Sequence, residues 1–566
     1  MSRQEVHTVG IASRRTSRIH VIFIIGVLYI TVCSSRLPVS ALDGDLDPTF
    51  GSGGQVMNPV SGDVVVSAGM VIQRDGKIVT GASIADNNFD IVVLLTRNNA
   101  DGSLDAGFGT GGTVTTNITG EDFARAIALQ PDGRLLVVGD TSTNFGNPSF
   151  LVLRYNVDGT LDTGFGSAGS VVTRVGRVND SARAVVLQPD GKIVAGGYSA
   201  AAPLTSSSDH SDFALVRYNT DGSLDPSFGN GGIVTTVLGG GTFEGSDLDA
   251  VDALAIQIDG KILAAGEVLD AQLQSVDVVV IRYNPDGSID TAFGNGGKVV
   301  TRTGSLNYPK GIAVQSDLKI LVGGQSWSTS PEVPRFLLAR YNPDGSPDPN
   351  FGNGGVVITS FGFPTDILGD RAFGMALQSD GKIIEVGSAG LPVIRFAVAR
   401  YNSDGGLDPS FGSGGVATTD ILGHPGTATG VGIQKDGKIV AAGQVQITEK
   451  QNSLGLARFE SSGGAPDFSL APDQAQIDVT PGTKVPLTIN ISRKAGFQGP
   501  VQITPPDTTG TGIKVRPAST IATNENSATF KLKITGAALA GTLNLTFTGT
   551  DASGTVSAAS VRLVVH

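Results

Sequence analysis

Few residues in this chain have the type and spacing for chemistry. Among its five histidines, His210, His424 and His566 lie outside the first forty residues, and the one cysteine is Cys33. His210 lies close to Ser206 in "LTSSSDHSD", but a base on a serine-rich loop lacks the fixed third partner that a nucleophilic triad needs. No "GxSxG", "HExxH" or phosphate-binding glycine loop occurs. Oxygen chemistry is better represented. Asn219, Asp221 and Asp225 in "NTDGSLD" alternate around a glycine as calcium-loop ligands do, yet the leading aspartate and the closing glutamate of such a loop are missing. Asx turns explain the same letters without a metal, so calcium remains an alternative and no cofactor is expected. Glu244, Asp247, Asp249 and Asp252 form an acidic cluster that could hold a cation or simply face water. Trp327, the single tryptophan, could stack on a sugar ring, anchor a partner or pack beneath its own loop. Trp327, His210, Glu244 and Asp247 are therefore the candidate partner-binding residues, and no catalytic residue is assigned.

The elements that must position these residues are written as a repeat. "RYNTDGSLDPSFGNGG" from Arg217 has close copies at Arg154, Arg282, Arg340 and Arg400. Three landmarks recur seven times: the Phe of "DxxFG" from Phe50 to Phe411, a Gln two residues before an Asp that usually opens a "DGK" turn from Gln73 to Gln434, and an Arg from Arg97 to Arg458. Repetition at this period is the signature of a repeat architecture. In the copy that begins at Phe165, "GSVVTRV", "ARAVVLQ", "KIVAGG" and "DFALVRYN" read as four short strands, with "PDG" as a tight hairpin turn. The last strand is apolar at nearly every position and must be covered on both faces. Copies that cannot bury their sheets alone have to stack. The first copy opens with "LDPTFG" like the others and offers no polar cap, so the expected architecture is all-β, a closed seven-bladed β-propeller of four-stranded blades.

The "RYNxDGSLDxxFGxGG…QxDGKIVxxG" pattern resembles the delta-60 repeat family of bacterial β-propeller proteins over residues 42–464. That resemblance implies the fold and an exported context, and it implies no activity. Two copies depart from it: "SDLK" replaces "DGK" at Ser316–Lys319, and the seventh copy ends "RFESSGG". Turn geometry at the first and the closing seam at the second are the least constrained by the pattern.

Alternation of strand direction places the "DGK" turn and the "NxDGSLDxxFG" connection on one face and the remaining loops on the other. The remaining loops differ from copy to copy, among them Ala82–Asp90, Tyr198–Asp212, Thr235–Asp252, Gln325–Arg335 and Gln444–Ser453. Unmatched loops on a matched scaffold are where binding specificity sits, so the repeated loop is scaffolding and the variable face is the expected working surface. The sevenfold Arg and Asp are expected to pair within or between blades, and each Gln to tie its hairpin turn to the backbone.

Residues 1–41 read as a signal peptide, with a basic start, the apolar run "VIFIIGVLYITVC" and a cleavage site after Ala41; an uncleaved anchor is the alternative. The formal net charge of −12 becomes about −16 on cleavage, which speaks against nucleic acid or anionic lipid as a partner. Residues 465–566 change composition and read as short strands of an immunoglobulin-like β-sandwich. The functional expectation is an exported, monomeric, non-catalytic protein binding a protein or carbohydrate partner. A structural envelope component without a specific ligand is the alternative, and a propeller hydrolase or lyase a more remote one.

Overall fold

The computed structural model describes residues 42–566 apart from short stretches, the longest being 201–209, 239–246, 363–368, 462–467 and 494–500. The leader and its cleavage site lie outside the described residues, as does Glu244. Every named element among the described residues is a β-strand, and no helix there is long and apolar enough to cross a membrane.

The repeats form antiparallel four-strand sets. In one, Asp180–Leu187, Ile193–Ala200, His210–Tyr218 and Ile233–Thr236 pair in chain order. The third strand is the most buried: Ser149–Tyr155, its counterpart in the preceding set, is buried at every position, as the unbroken apolar run requires. Single parallel bridges, Ile91 with Glu121 and Val276 with Leu306, join some neighbouring sets into larger sheets. The cores lie between neighbours. Val79, Val93 and Phe108 of one set pack with Leu135, Leu151 and Tyr155 of the next. Each such side chain, taken from water to full burial, contributes roughly 1.5–3 kcal/mol.

The sets are cut one strand away from the sequence reading. The run after "FG", Ser170–Thr173 in the specimen copy, pairs with Ser149–Tyr155 and so completes the preceding sheet instead of opening its own. A period fixes the length of a unit and leaves open where the unit is cut. The consequence appears at the ends of the array. Gln55–Asn58, the first strand among the described residues, pairs with Gln451–Phe459 of the last set. Leu46 bridges Phe459, and Phe50, Met70 and Ile78 share a core with Val440, Ala442 and Leu456. The first strand of each set packs on the first strand of the next, and Gly426–Ile433 of the last set packs on Asp63–Ile72 of the first.

Beyond Phe468 the chain forms two further sheets. One orders Phe468–Pro472, Lys484–Arg493, Ser527–Ile534 and Ile513–Arg516. The other orders Gln476–Val479, Val556–Val565, Gly541–Thr550, Val501–Thr504 and Ile521–Thr523. The alternating exposed and buried positions of Ser527–Ile534 turn Phe530 and Leu532 into a core that they share with Phe547, Val561 and Leu563 of the second sheet.

Candidate functional site

The repeated face is occupied with holding the array together. In each copy the Arg of the third strand meets the Asp of "DxxFG": Arg217 Nε donates to Asp225 Oδ2 at 2.7 Å while its guanidinium stacks over Phe228 at 4.5 Å. The Lys of the hairpin turn approaches the same carboxylate, Lys192 Nζ lying 2.9 Å from Asp225 Oδ2. A further guanidinium nitrogen of Arg217 donates to the carbonyl of Pro285 in the next copy. The backbone runs a parallel belt: Gly166 N–H donates to Asp221 O, Gly229 to Asp286 O and Gly294 to Asp344 O, each to the following copy. Gly222 in that loop has φ of +90° and would place a Cβ 2.9 Å from the Phe165 ring, so glycine is needed for both conformation and fit. At the ends the same contacts recur across the array. Arg458 binds Asp47 and the carbonyl of Ala100, and Gly412 N–H donates to Asp43 O.

Asn219, Asp221 and Asp225 are drawn into this scaffold. Asn219 donates to Ser223 Oγ at 3.0 Å, and Asp221 Oδ1 accepts the Ser223 amide at 2.9 Å and its hydroxyl at 2.7 Å. Those serine hydrogen bonds hold the exposed Asp221 carboxyl below its ordinary range. Asp225 faces two cations, a setting that repels a divalent ion. The Gln ties its hairpin through its main chain (Gly191 N–H to Gln188 O, 2.9 Å), whereas its side chain differs between copies: Gln434 Oε1 accepts from Arg458 Nη1 at 3.1 Å, and Gln378 Nε2 donates to Ser461 Oγ at 3.0 Å.

The other predicted residues do not converge. Trp327 ends the strand Ile320–Trp327 instead of lying in a loop, and Pro334 faces it in register. Its ring is half-buried beneath the Arg371 guanidinium at 5.1 Å, and its buried Nε1 has no hydrogen-bond partner among the described residues. His210 and Asp247 are joined by a parallel strand pairing, so the backbone holds them together, away from Trp327 in sequence and sheet. Asp249 is buried and accepts the Leu269 amide at 3.2 Å, a structural job matched by Asp180, which accepts Val175 and Gly176 amides at 2.9 Å. Asp252 leaves the acidic cluster for a different environment. Among the described residues no group of three or more His, Cys, Asp or Glu side chains is arranged to hold a metal ion.

On the variable face the described residues form a cleft of about 490 Å³, lined by Val393, Ile394, Pro425, Gln444, Gln446 and Asn452 among others. Side-chain amides and apolar edges suit a neutral, hydrogen-bonding ligand.

A second polar site lies on the first strands and was not anticipated. Every first strand contains a β-bulge at the same place, five residues before the Gln. The bulged residues are Ala68, Arg125, Arg183, Asp252, Lys310, Phe373 and Thr429. A bulge adds a residue and re-aims its side chain. It also crowds the partner strand: a Cβ on Gly139 would lie 1.7 Å from Phe123 O, and one on Gly197 1.9 Å from Ser181 O. This crowding explains the glycine that ends "KIVxxG". The first copy has Ala82 there, and its first strand carries a second register shift at Val65.

Four consecutive bulges are charged. Arg125 Nε meets Asp140 Oδ1 at 3.0 Å, and Ser181 Oγ donates to the same oxygen at 2.6 Å. Arg183 lies 3.3 Å from both Asp252 and Glu267, and Lys310 3.1 Å from Asp252. Burial, reinforced by the neighbouring Asp252 charge, pushes the Glu267 carboxyl up to about 8. Burial opposes ionisation of Asp252 too, but Lys310 and Arg183 hold it below the ordinary carboxylate range. Of the two carboxyl groups, Glu267 is thus the one that favours the protonated form and Asp252 the one that favours the charged form. A charged letter within the apolar runs "SARAVVLQ" and "AVDALAIQ" was the available signal.

Two solved structures are similar to this chain at low identity. "Crystal structure of the S-layer protein SbsC domains 4 and 5" is 16% identical with a TM-score of 0.14, covering 40% of this chain and 88% of that one. "Crystal structure of tetra-tandem repeat in extending region of large adhesion protein" is 11% identical with a TM-score of 0.15, covering 87% and 96%. At these TM-scores neither bears on fold or function. No match was found among curated proteins. Six segments, 130–165, 188–228, 257–293, 315–351, 378–411 and 434–467, match the family model described as "Domain of unknown function (DUF5122) beta-propeller". Each begins at the repeated Gln, and the first five end at the repeated Phe, so they take in the scaffold face and leave out the bulged strands. The repeats of this chain match a β-propeller repeat family whose description assigns no chemistry.

Proposed function

We propose that this is an exported, non-catalytic binding or scaffold protein, a closed seven-bladed β-propeller followed by an immunoglobulin-like β-sandwich, which takes a protein or glycan partner on its variable face. The pairing of Gln55–Asn58 with Gln451–Phe459 and the unbroken series of first-strand contacts support closure. Two sheets around one apolar core support the sandwich reading. The leader sequence is the support for export. The observation that carries the binding role is the contrast between faces. The repeated loops spend their polar groups on neighbouring copies, whereas the unmatched loops border a cleft edged by Gln446 and Asn452.

A glycan array probed with the purified protein tests this reading, alongside Gln446→Ala/Asn452→Ala on the variable face and Asn156→Ala on the repeated face. Binding lost in the first variant and kept in the second is the expected result. Equal loss in both, or retention in both, refutes the assignment of the face.

A further inference from the structure

The bulged strands place cations and carboxylates at different depths. The side chains of Arg125, Arg183 and Lys310 are 33%, 25% and 25% exposed, whereas those of Asp140, Asp252 and Glu267 are 8%, 7% and 10% exposed. A solute arriving at this wall therefore meets cationic heads, with the carboxylates that orient them lying underneath. Each cation is the more exposed member of its pair, so the wall turns positive charge outward on a chain whose formal net charge is −12. Such a patch attracts anions against the field of the whole protein.

Aromatic rings flank the cations. Arg125 lies over Phe123 at 4.8 Å, Arg183 over Tyr198 at 4.9 Å and Lys310 over Tyr308 at 5.9 Å, and all three rings are half-buried. The charge is one-sided. The remaining bulges carry Ala68, Phe373 and Thr429, and Thr429 spends its hydroxyl on Ser67 Oγ at 2.7 Å. A guanidinium held between a ring and a buried carboxylate is fixed in orientation, and a fixed cation is what the carboxylate of a sugar ring needs for directional pairing. An acidic peptide would instead add a strand to the sheet edge, and the bulge interrupts the row of backbone donors such a strand needs.

We propose that the wall formed by Arg125, Arg183 and Lys310 with Phe123, Tyr198 and Tyr308 is a binding site for a carboxylate-bearing saccharide. It deepens the glycan-binding reading above but uses none of the cleft residues, so a failure here leaves the variable face untouched, and a failure there leaves this wall standing.

Calorimetric titration of the purified protein with a galacturonate oligomer, its neutral galactose counterpart and a glutamate peptide of matched charge tests the proposal. The expected result is binding of the uronate at least tenfold tighter than either comparator. Binding should weaken with salt and weaken again above about pH 8, where Glu267 ionises beside Asp252, Arg183, Lys310 and Tyr308. Lys310→Gln and Arg183→Lys should each lose about tenfold, with Thr429→Ala unchanged. Wild-type protein that holds the uronate no tighter than galactose overturns the proposal without recourse to any variant. So does equal or tighter binding of the peptide, which would reassign the wall to acidic proteins, or folded Lys310→Gln protein that binds as wild type.

Discussion

Asp47→Ala offers the sharpest test of how the array ends. The Asp47 side chain is fully buried and accepts from Lys438 Nζ at 2.7 Å, Arg458 Nε at 2.7 Å and Thr49 Oγ1 at 2.7 Å. Both cations lie about 400 residues along the chain, so these contacts exist only if the two ends of the array meet. Asp225 makes the equivalent contacts inside the array with Arg217 at 2.7 Å and Lys192 at 2.9 Å. Removing one partner from a buried pair leaves the other charge stranded at a cost of about 3–5 kcal/mol. Arg458 and Arg217 side chains are 7% and 5% exposed, so both sites fall in that regime. Asp47→Ala and Asp225→Ala should therefore lower the urea midpoint of the repeat array by similar amounts, followed by circular dichroism, with the C-terminal sheets as an internal reference. If Asp225→Ala is destabilised and Asp47→Ala unfolds with the wild type, the ends are not joined and the closed arrangement is wrong.

Two other perturbations follow from the same contacts. Gly139→Ala forces a Cβ against Phe123 O and should cost about 2–4 kcal/mol in a denaturant titration, whereas Gly536→Ala, with nothing within 4 Å, should stay within about 0.5 kcal/mol. pH acts with two signs. Asp47 and Asp225 are held below the ordinary range and Asp408 is lowered to about 2, so their stabilisation is complete above the unfolded value of 3.8 and drains away as pH falls through the native values. Glu267 works the other way. Its native value of about 8 lies above the unfolded 4.5, so its contribution falls as pH rises between the two, and Glu267→Gln should flatten that slope in midpoints measured from pH 5 to 9.

The scaffold was legible because it is redundant. "DxxFG", the paired Arg and the "DGK" turn state one geometry seven times, and the parity of strand direction was enough to assign their common face. The cut between sheets was not legible, because Ser170–Thr173 looks the same whether it opens one sheet or ends another; its pairing with Ser149–Tyr155, and that of Gln55–Asn58 with Gln451–Phe459, resolve it. Site residues fared worse. Trp327 was read as loop because Ser328 to Pro334 carry turn letters, although the strand persists as far as the indole. The bulge column was missed because one extra residue breaks the two-residue alternation without leaving a gap. Arg183 and Asp252 then look like stray charges in apolar strands, although each is aimed by the same local distortion.

The opening strand must wait for its partner. Asn58 O accepts from Ser453 Oγ, 395 residues away, so a chain made or exported from its N-terminus carries Gln55–Asn58 unpaired through almost the whole of its synthesis. Joining the two ends of the array must then come late in assembly, and until it does the vacant edge of Gln451–Phe459 would accept the leading strand of another molecule as readily as its own. At high local concentration the same seam that joins the ends of one chain would exchange strands between neighbours, and crowded copies would interlock without any surface evolved for the purpose.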